Sequence, residues 1–272
     1  MKKQIAVVVA VGLTLGAAAA AFGAAARGAG VVGSPHDLYS QAAYKGNESQ
    51  GRICAYCHTP HHAATSATMY LPLWSKDLSQ DTATFTTGYY TTTINAAELQ
   101  SGSTSDKAIG PTRLCMSCHD GTVAPDQHYG SVGGTGTKLT NDTFGGAGVG
   151  SGAAGLSNDH PVGFDYVAVA GGPVAGDPTA AQVAAAQLDT TIDAYIRDPN
   201  ATYLNNALGL KISDRLYVDP ISSKAYMTCA TCHDVHNKKN IYTVAENAGV
   251  VANYMVLAPQ DGSALCISCH IK

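Results

Sequence analysis

The sequence predicts a mostly irregular chain with a few short helices and short strands. Glycine is frequent, at 29 of 272 residues, and charged residues make up only 13% of the chain. One tryptophan, Trp74, and four phenylalanines leave little aromatic mass for an ordinary core of side chains. A chain of one-domain length with this composition needs apolar material from another source.

The cysteines indicate what that source is. All eight fall into four copies of the pattern C-x-x-C-H: Cys54, Cys57 and His58; Cys115, Cys118 and His119; Cys229, Cys232 and His233; Cys266, Cys269 and His270. This pattern attaches haem c, because two thiols add to vinyl groups on one porphyrin edge and the histidine ligates the iron. The sequence therefore predicts four haems c, with a stack of haems as the core of a tetrahaem c-type cytochrome.

Three other uses of paired cysteines are less consistent with the pattern. A disulfide framework is common in exported chains, but it does not explain a histidine after every second cysteine. Zinc sites also use C-x-x-C pairs, yet they would leave the four identically placed histidines without a role. A thioredoxin-like redox pair occurs once, beside a βαβ pattern.

The first residues predict export. Residues 1–26 begin with Lys2 and Lys3 and continue as an apolar and then alanine-rich run that ends near Ala26, which is typical of a secretory signal. A retained membrane anchor is the alternative. We expect residues 27–272 to form one exported domain without a stable membrane span, outside the cell, at its surface or in the periplasm. A net charge of −4 argues against a nucleic-acid partner.

An internal repeat divides the motifs into two types. The first and third read C-A-x-C-H-x-x-H, whereas the second and fourth share a preceding leucine, a serine before the second cysteine and an upstream glycine, Gly110 or Gly262. The chain therefore resembles two dihaem modules, at about 52–121 and 227–272, with a long insert between them.

Composition predicts three further elements. Residues 130–155 are rich in Gly, Ser and Thr and are typical of a surface loop. Residues 178–197 predict a helix, with Pro178 in its first turn and Pro199 beyond its end. The Thr-rich stretch 82–93 alternates weakly and indicates a short strand.

Six histidines remain for four distal positions on the irons: His36, His61, His62, His128, His160 and His236. His61 and His236 each lie three residues beyond a proximal histidine, too close to reach the far face of the same haem, so each should ligate a neighbouring haem. His160 and His36 stand beside prolines that stiffen the backbone. We predict His36, His61, His160 and His236 as the distal ligands. His62 and His128 remain alternatives, and Met69 or Met255 would be rival ligands that raise the potential of a haem.

Several segments carry a family resemblance. They are Ser34-Pro-His36-Asp37, Cys54-Ala-Tyr-Cys-His-Thr-Pro-His61, Pro72-Leu-Trp74, Leu114-Cys-Met-Ser-Cys-His-Asp-Gly121, Ser157-Asn-Asp-His160-Pro161-Val and Cys229-Ala-Thr-Cys-His-Asp-Val-His236-Asn237. The chain resembles multihaem cytochromes of the outer-membrane cytochrome E type. The resemblance implies bis-histidine haems in a row, polymerisation into extracellular conducting filaments, and a distal ligand donated across the subunit contact.

Two functions are consistent with these residues. The first is an electron conduit that exchanges electrons with other cytochromes or extracellular acceptors, as a filament subunit or a monomeric carrier. The second is a haem enzyme such as a nitrite or peroxide reductase, which needs an open distal position. Six spare histidines for four positions favour the conduit and argue against an enzyme. We further expect His36, near the start of the mature chain, to ligate a haem of the neighbouring subunit.

Overall fold

The computed structural model describes residues 30–45, 48, 50–66, 70–78, 96–99, 103, 105–127, 138–139, 159–170, 195–206, 208–236 and 255–271. Within these ranges most residues belong to turns and irregular segments, with a few short helices and a small antiparallel sheet. The expected mostly irregular architecture is therefore confirmed.

The helical elements are short. The α-helices are α1 (Pro111–His119), α2 (Tyr166–Val169), α3 (Cys229–Cys232) and α4 (Ala264–Cys269), and the 3₁₀ turns are Ile53–Tyr56, Ala97–Leu99, Ile212–Arg215 and Asp261–Ser263. Helix α1 begins at a proline after Gly110, whose φ of 55° lies in the left-handed region. Gly262 has a φ of 57° but lies in the 3₁₀ turn before α4, whose first residue follows Ser263, so the two glycines share a positive φ and differ in their position relative to the helix.

The strands are β1 (Phe164–Asp165), β2 (Tyr195–Ile196), β3 (Tyr217–Val218), β4 (Ala225–Met227) and β5 (His270–Ile271). Strand β4 lies between β1 and β3 in one antiparallel sheet, with Phe164 opposite Met227 and Tyr217 opposite Tyr226. Strands β2 and β5 form a second antiparallel pair, in which Ile196 lies opposite His270. Each sheet therefore leads directly into, or out of, a C-x-x-C-H motif.

One buried cluster joins the segments around the second, third and fourth motifs. It contains Ala96, Leu99, Ala108, Met116, Phe164, Tyr166, Tyr203, Ile212, Met227, Leu257, Ala258 and Cys269. Tyr166 and Tyr203 come from the segment between the two predicted dihaem modules, and their hydroxyls donate hydrogen bonds to Arg197 O and Thr231 O. This part of the insert is thus integral to the core.

The helix predicted over 178–197 does not reach its expected end. Tyr195 and Ile196 form β2, because they pair with the strand that follows the last cysteine motif. Residues 178–194, the stretch 82–93, the segment 1–26 and nearly all of 130–155 lie outside the described residues. In the described part of the chain, no helix has the length and apolar character needed to cross a membrane.

Candidate haem-binding site

Each pair of motif cysteines lies on a helical turn. Cys54 lies in the 3₁₀ turn Ile53–Tyr56 with Cys57 at its end, and the other three pairs lie in α1, α3 and α4. Residues three apart in a helix project from the same face, so both sulfur atoms of a motif can reach one ligand.

The residue before the second cysteine faces the opposite way. Tyr56, Ser117, Thr231 and Ser268 are at most 1% exposed. The polar members are satisfied locally: the Ser117 hydroxyl donates to Leu114 O at 2.8 Å, and the Ser268 hydroxyl donates to Ala264 O at 2.7 Å. This buried residue anchors each turn to the protein, so that its cysteine face is directed outward.

All eight cysteines are free thiols, so the disulfide framework considered from the sequence is not formed. Within the described ranges, no three side chains of His, Cys, Asp and Glu are grouped closely enough to hold a bare metal ion. Burial raises the pKa of Cys57 to about 11, with Lys76 opposing the shift. Burial also raises the pKa of Cys232 to about 12. These two thiols are therefore uncharged at neutral pH.

Three motif histidines continue from their turns into extended backbone. His58 forms a bridge with Trp74, His233 forms one with Val256, and His270 belongs to β5. His119 instead remains the last residue of α1. Backbone pairing fixes the direction in which each of the three imidazoles leaves the chain.

Three predicted distal histidines lie opposite motif histidines. Ring centres are 6.1 Å apart for His36 and His119, 6.2 Å for His58 and His236, and 6.1 Å for His160 and His270. The angles between the ring planes are 52°, 21° and 73° in the same order. The partners within each pair are distant in sequence, and His236 follows the third motif but faces the first.

This spacing fits an iron between two imidazoles. Nitrogen atoms that bind one metal ion from opposite sides at about 2 Å place the ring centres roughly 6 Å apart, because each centre lies about 1 Å behind its nitrogen. Each pair also has a helical turn with two cysteines directly before its motif histidine. The residues at three of the four motifs therefore match the requirements of a bis-histidine haem c.

An oxygen atom lies near Nδ1 in three of these imidazoles, and in two of them it is within hydrogen-bonding distance. The Nδ1 atom of His58 lies 2.7 Å from Pro72 O, and the Nδ1 atom of His160 lies 3.0 Å from Pro161 O. A carbonyl only accepts, so Nδ1 carries the proton and Nε2 keeps the lone pair that binds a metal. His236 Nδ1 lies 3.7 Å from the Asp234 carboxylate, an ionic rather than a hydrogen-bonding distance.

His36 is a buried member of the site. Its Nδ1 is buried and has no hydrogen-bond partner among the described residues. Burial and the nearby imidazoles of His119, His233 and His236 lower the pKa of His36 to about 4, so the ring is neutral, the form that ligates iron. The position corrects our expectation that His36 ligates a haem of the neighbouring subunit: its ring faces His119 of its own chain.

Asp37 holds the loop that carries His36. Its carboxylate accepts hydrogen bonds from the backbone N–H groups of Gly33, at 2.7 Å, and Ser40, at 3.2 Å. Asp37 is only 3% exposed, and these bonds satisfy its buried charge. The segment near the expected mature start is therefore tied down and does not form a free arm.

The remaining ligand candidates differ in position. His61 and His62 are exposed, and in the described part of the chain neither ring meets another imidazole. His61 thus stays a prediction as a distal ligand. His128 and Met69 lie outside the described residues, and Met255 is buried with a φ of 58°.

Neighbouring motifs follow one another in space. Cys57 lies near Cys118, the thiols of Cys115 and Cys229 share a hydrogen bond, and Cys232 lies near Cys269. Cys229 N also donates to Thr112 Oγ1 at 3.2 Å, which joins α3 to α1. The two predicted dihaem modules are therefore in direct contact, and the motifs form a continuous row from first to fourth.

Sequence reasoning missed the groups that orient the imidazoles. The Pro72 and Pro161 carbonyls are backbone atoms and carry no sequence signature of their own. Asp234 had a visible signal, because both the second and the third motifs continue as C-H-D, with Asp120 and Asp234. Comparison with models of protein families and with characterised proteins finds no match to this chain.

Proposed function

We propose that the chain is an exported c-type cytochrome with four covalently bound haems that conducts electrons. The observation that carries this proposal is the set of three imidazole pairs at 6.1–6.2 Å, each joining a motif histidine to a histidine remote in sequence. A c-type motif alone predicts one imidazole for each iron; the pairs supply the second.

On this proposal, two cysteines and two histidines of the same chain hold each of three haems. Cys54 and Cys57 act with His58 and His236, Cys115 and Cys118 with His119 and His36, and Cys266 and Cys269 with His270 and His160. The fourth haem is attached through Cys229 and Cys232 with His233 as its proximal ligand. When bound, each iron alternates between ferric and ferrous states by one electron.

The ligand arrangement favours conduction over catalysis. Substrate reduction at haem needs an open or easily displaced distal position. An imidazole faces the motif histidine in three motifs, and two of these distal rings, His160 and His236, have Nδ1 beside an acceptor. The continuous row of motifs, from Cys57 through Cys115 and Cys232, provides a path along the molecule.

We propose further that the chain is a subunit of an extracellular filament. This part rests on the export signal and on the family resemblance. His61 replaces His36 as the candidate for ligation across the subunit contact, because His61 is exposed and its ring meets no other imidazole in the described part of the chain. A repeated contact that does not close on itself produces an open helical assembly.

Intact-mass spectrometry of the mature protein tests the cofactor. Four motifs should give four haem additions, with all eight cysteines consumed as thioethers. Fewer haems, or thiols that react with an alkylating reagent after denaturation, contradict the proposal.

Electron microscopy of secreted material tests the assembly. The wild type and the His62→Ala variant should form fibres, whereas His61→Ala should remain monomeric with its haems attached. If wild-type protein stays monomeric at all concentrations, the filament proposal fails and the chain is a monomeric carrier. Fibres from His61→Ala would exclude His61 as the bridging ligand.

A further inference from the structure

The imidazole pair of the first motif differs from the other two in the group behind its distal ring. At His160 the group near Nδ1 is a neutral backbone carbonyl, and Nδ1 of His36 has no hydrogen-bond partner among the described residues. At His236 it is the Asp234 carboxylate, whose Oδ1 lies 3.7 Å from Nδ1 and also accepts the backbone N–H of His236 at 3.1 Å. This carboxylate oxygen thus fixes the backbone of His236 by a hydrogen bond and lies at ion-pair distance from its ring.

The carboxylate is itself held in place by Arg215. Arg215 Nη1 lies 3.8 Å from Asp234 Oδ2, while Nε donates to Ala230 O at 3.2 Å and Nη2 donates to His233 O at 3.1 Å. The guanidinium therefore ties Asp234 to the turn that carries the third motif. Its positive charge reduces the negative charge that reaches His236 but leaves Oδ1 directed at the imidazole.

A carboxylate beside Nδ1–H makes an imidazole a stronger electron donor through Nε2. Stronger donation favours ferric over ferrous iron, since the oxidised ion carries the larger charge. Carbonyl partners, which are neutral, have a weaker effect. The three pairs should therefore not be equivalent in potential, even though all are bis-histidine.

We propose that Asp234 is a positioning residue that orients His236 and lowers the reduction potential of the haem held by His58 and His236 below that of the other two paired haems. This inference rests on the proposed function. It makes that haem the last of the three to be reduced, and it lies at the first motif, one end of the row. The row is then graded in potential rather than uniform.

Asp234→Asn is the direct test, because the asparagine carbonyl can still accept the His236 backbone N–H while the charge is lost. The matched control is Asp120→Asn. Asp120 follows its motif histidine in the same way, but its Oδ1 accepts from Thr122 N and Thr122 Oγ1, both at 2.7 Å. Asp234→Glu restores the charge and should recover part of the wild-type behaviour.

The readout is a redox titration followed by electron paramagnetic resonance. The planes of His58 and His236 differ by only 21°, so their haem should give a rhombic low-spin signal distinct from those of the other two pairs. In Asp234→Asn the midpoint potential of that signal should rise, and a tenfold loss of preference for ferric iron corresponds to about 59 mV. In Asp120→Asn the same signal should move less.

Three results would overturn the inference. The rhombic signal could keep its potential in Asp234→Asn, it could shift no more than in Asp120→Asn, or all four haems could shift equally. Haem content and spin state, measured on the same samples, separate this failure from failure of the proposed function: a wild type with fewer than four covalent haems rejects the function, whereas four low-spin haems with an unmoved potential reject only the role of Asp234.

Discussion

Removal of one distal imidazole should open one haem and leave the others unchanged. The variants His36→Ala, His160→Ala and His236→Ala each remove a ring that lies 6.1–6.2 Å from a different motif histidine. Because the three pairs share no histidine, each variant should convert one of four haems, a quarter of the total, from low-spin to high-spin. Two substitutions combined should open two haems.

Carbon monoxide binding to the reduced protein measures this effect. Each single variant should bind one additional carbon monoxide per four haems relative to the wild type, with a matching high-spin signal in the oxidised state. His62→Ala is the matched control, since His62 is exposed and faces no imidazole in the described ranges. The reasoning is refuted if any of the three variants gains no open haem, if one variant opens two, or if His62→Ala opens one.

Three further outcomes follow from the structure. In electron paramagnetic resonance of the wild type, the pair whose ring planes differ by 21° should give a rhombic low-spin signal. The pairs at 52° and 73° should give signals with a larger principal g value, because non-parallel rings no longer interact with the same iron d orbital. Three identical spectra would contradict this. Gly163→Ala should lower the free energy of unfolding by about 3 kcal/mol, because Gly163 has a φ of 78° and the added Cβ would lie 2.3 Å from Lys107 O. Gly262→Ala is the control, since the space around Gly262 is open. In the same denaturation assay it should lower the free energy of unfolding by only about 1 kcal/mol. Glu98→Gln should lower the free energy of unfolding by about 1 kcal/mol at neutral pH, a small effect because Lys224 is half in solvent. Burial raises the pKa of Glu98, but the 2.8 Å bond from Lys224 outweighs burial and lowers it. The stabilisation is therefore lost as the pH falls through that pKa, and the wild type and the variant should become equally stable in acid.

Haem attachment remains a prediction, and the sequence could support it because it depends on short local patterns. C-x-x-C-H fixes two sulfurs and one nitrogen within one helical turn, and the four motifs were visible without any knowledge of the fold. The repeated glycines were equally local, and Gly110 and Gly262 both have a positive φ shortly before a motif helix. The mostly irregular architecture of the described residues could also be predicted, because it follows from the amino-acid composition.

The distal pairing could not be predicted, because it is a property of the whole fold. Nothing near His36 indicates that it faces His119, and its place close to the expected mature start suggested the opposite, a free arm. The helix prediction from Pro178 and Pro199 likewise gave no sign that Tyr195 and Ile196 would pair with β5. Long-range pairing decides both cases, and it overrides local preference.

The scarcity of regular structure in the described residues is related to the long sequence separation between the paired histidines. In the described part of the chain, helices of four to nine residues and strands of two or three residues bury too little surface to order these segments by themselves. An iron bound by His36 and His119, by His58 and His236, or by His160 and His270 closes a long loop, as a disulfide does, and removes much of the conformational entropy of the unfolded chain. On the proposed function, covalent attachment would place one end of each such link before the chain folds, and ligation by the distal imidazole would complete it. On this proposal the conducting row and the tertiary structure are held by the same bonds, so a variant that opens a haem should also lose stability, and more so at buried His36 than at exposed His160.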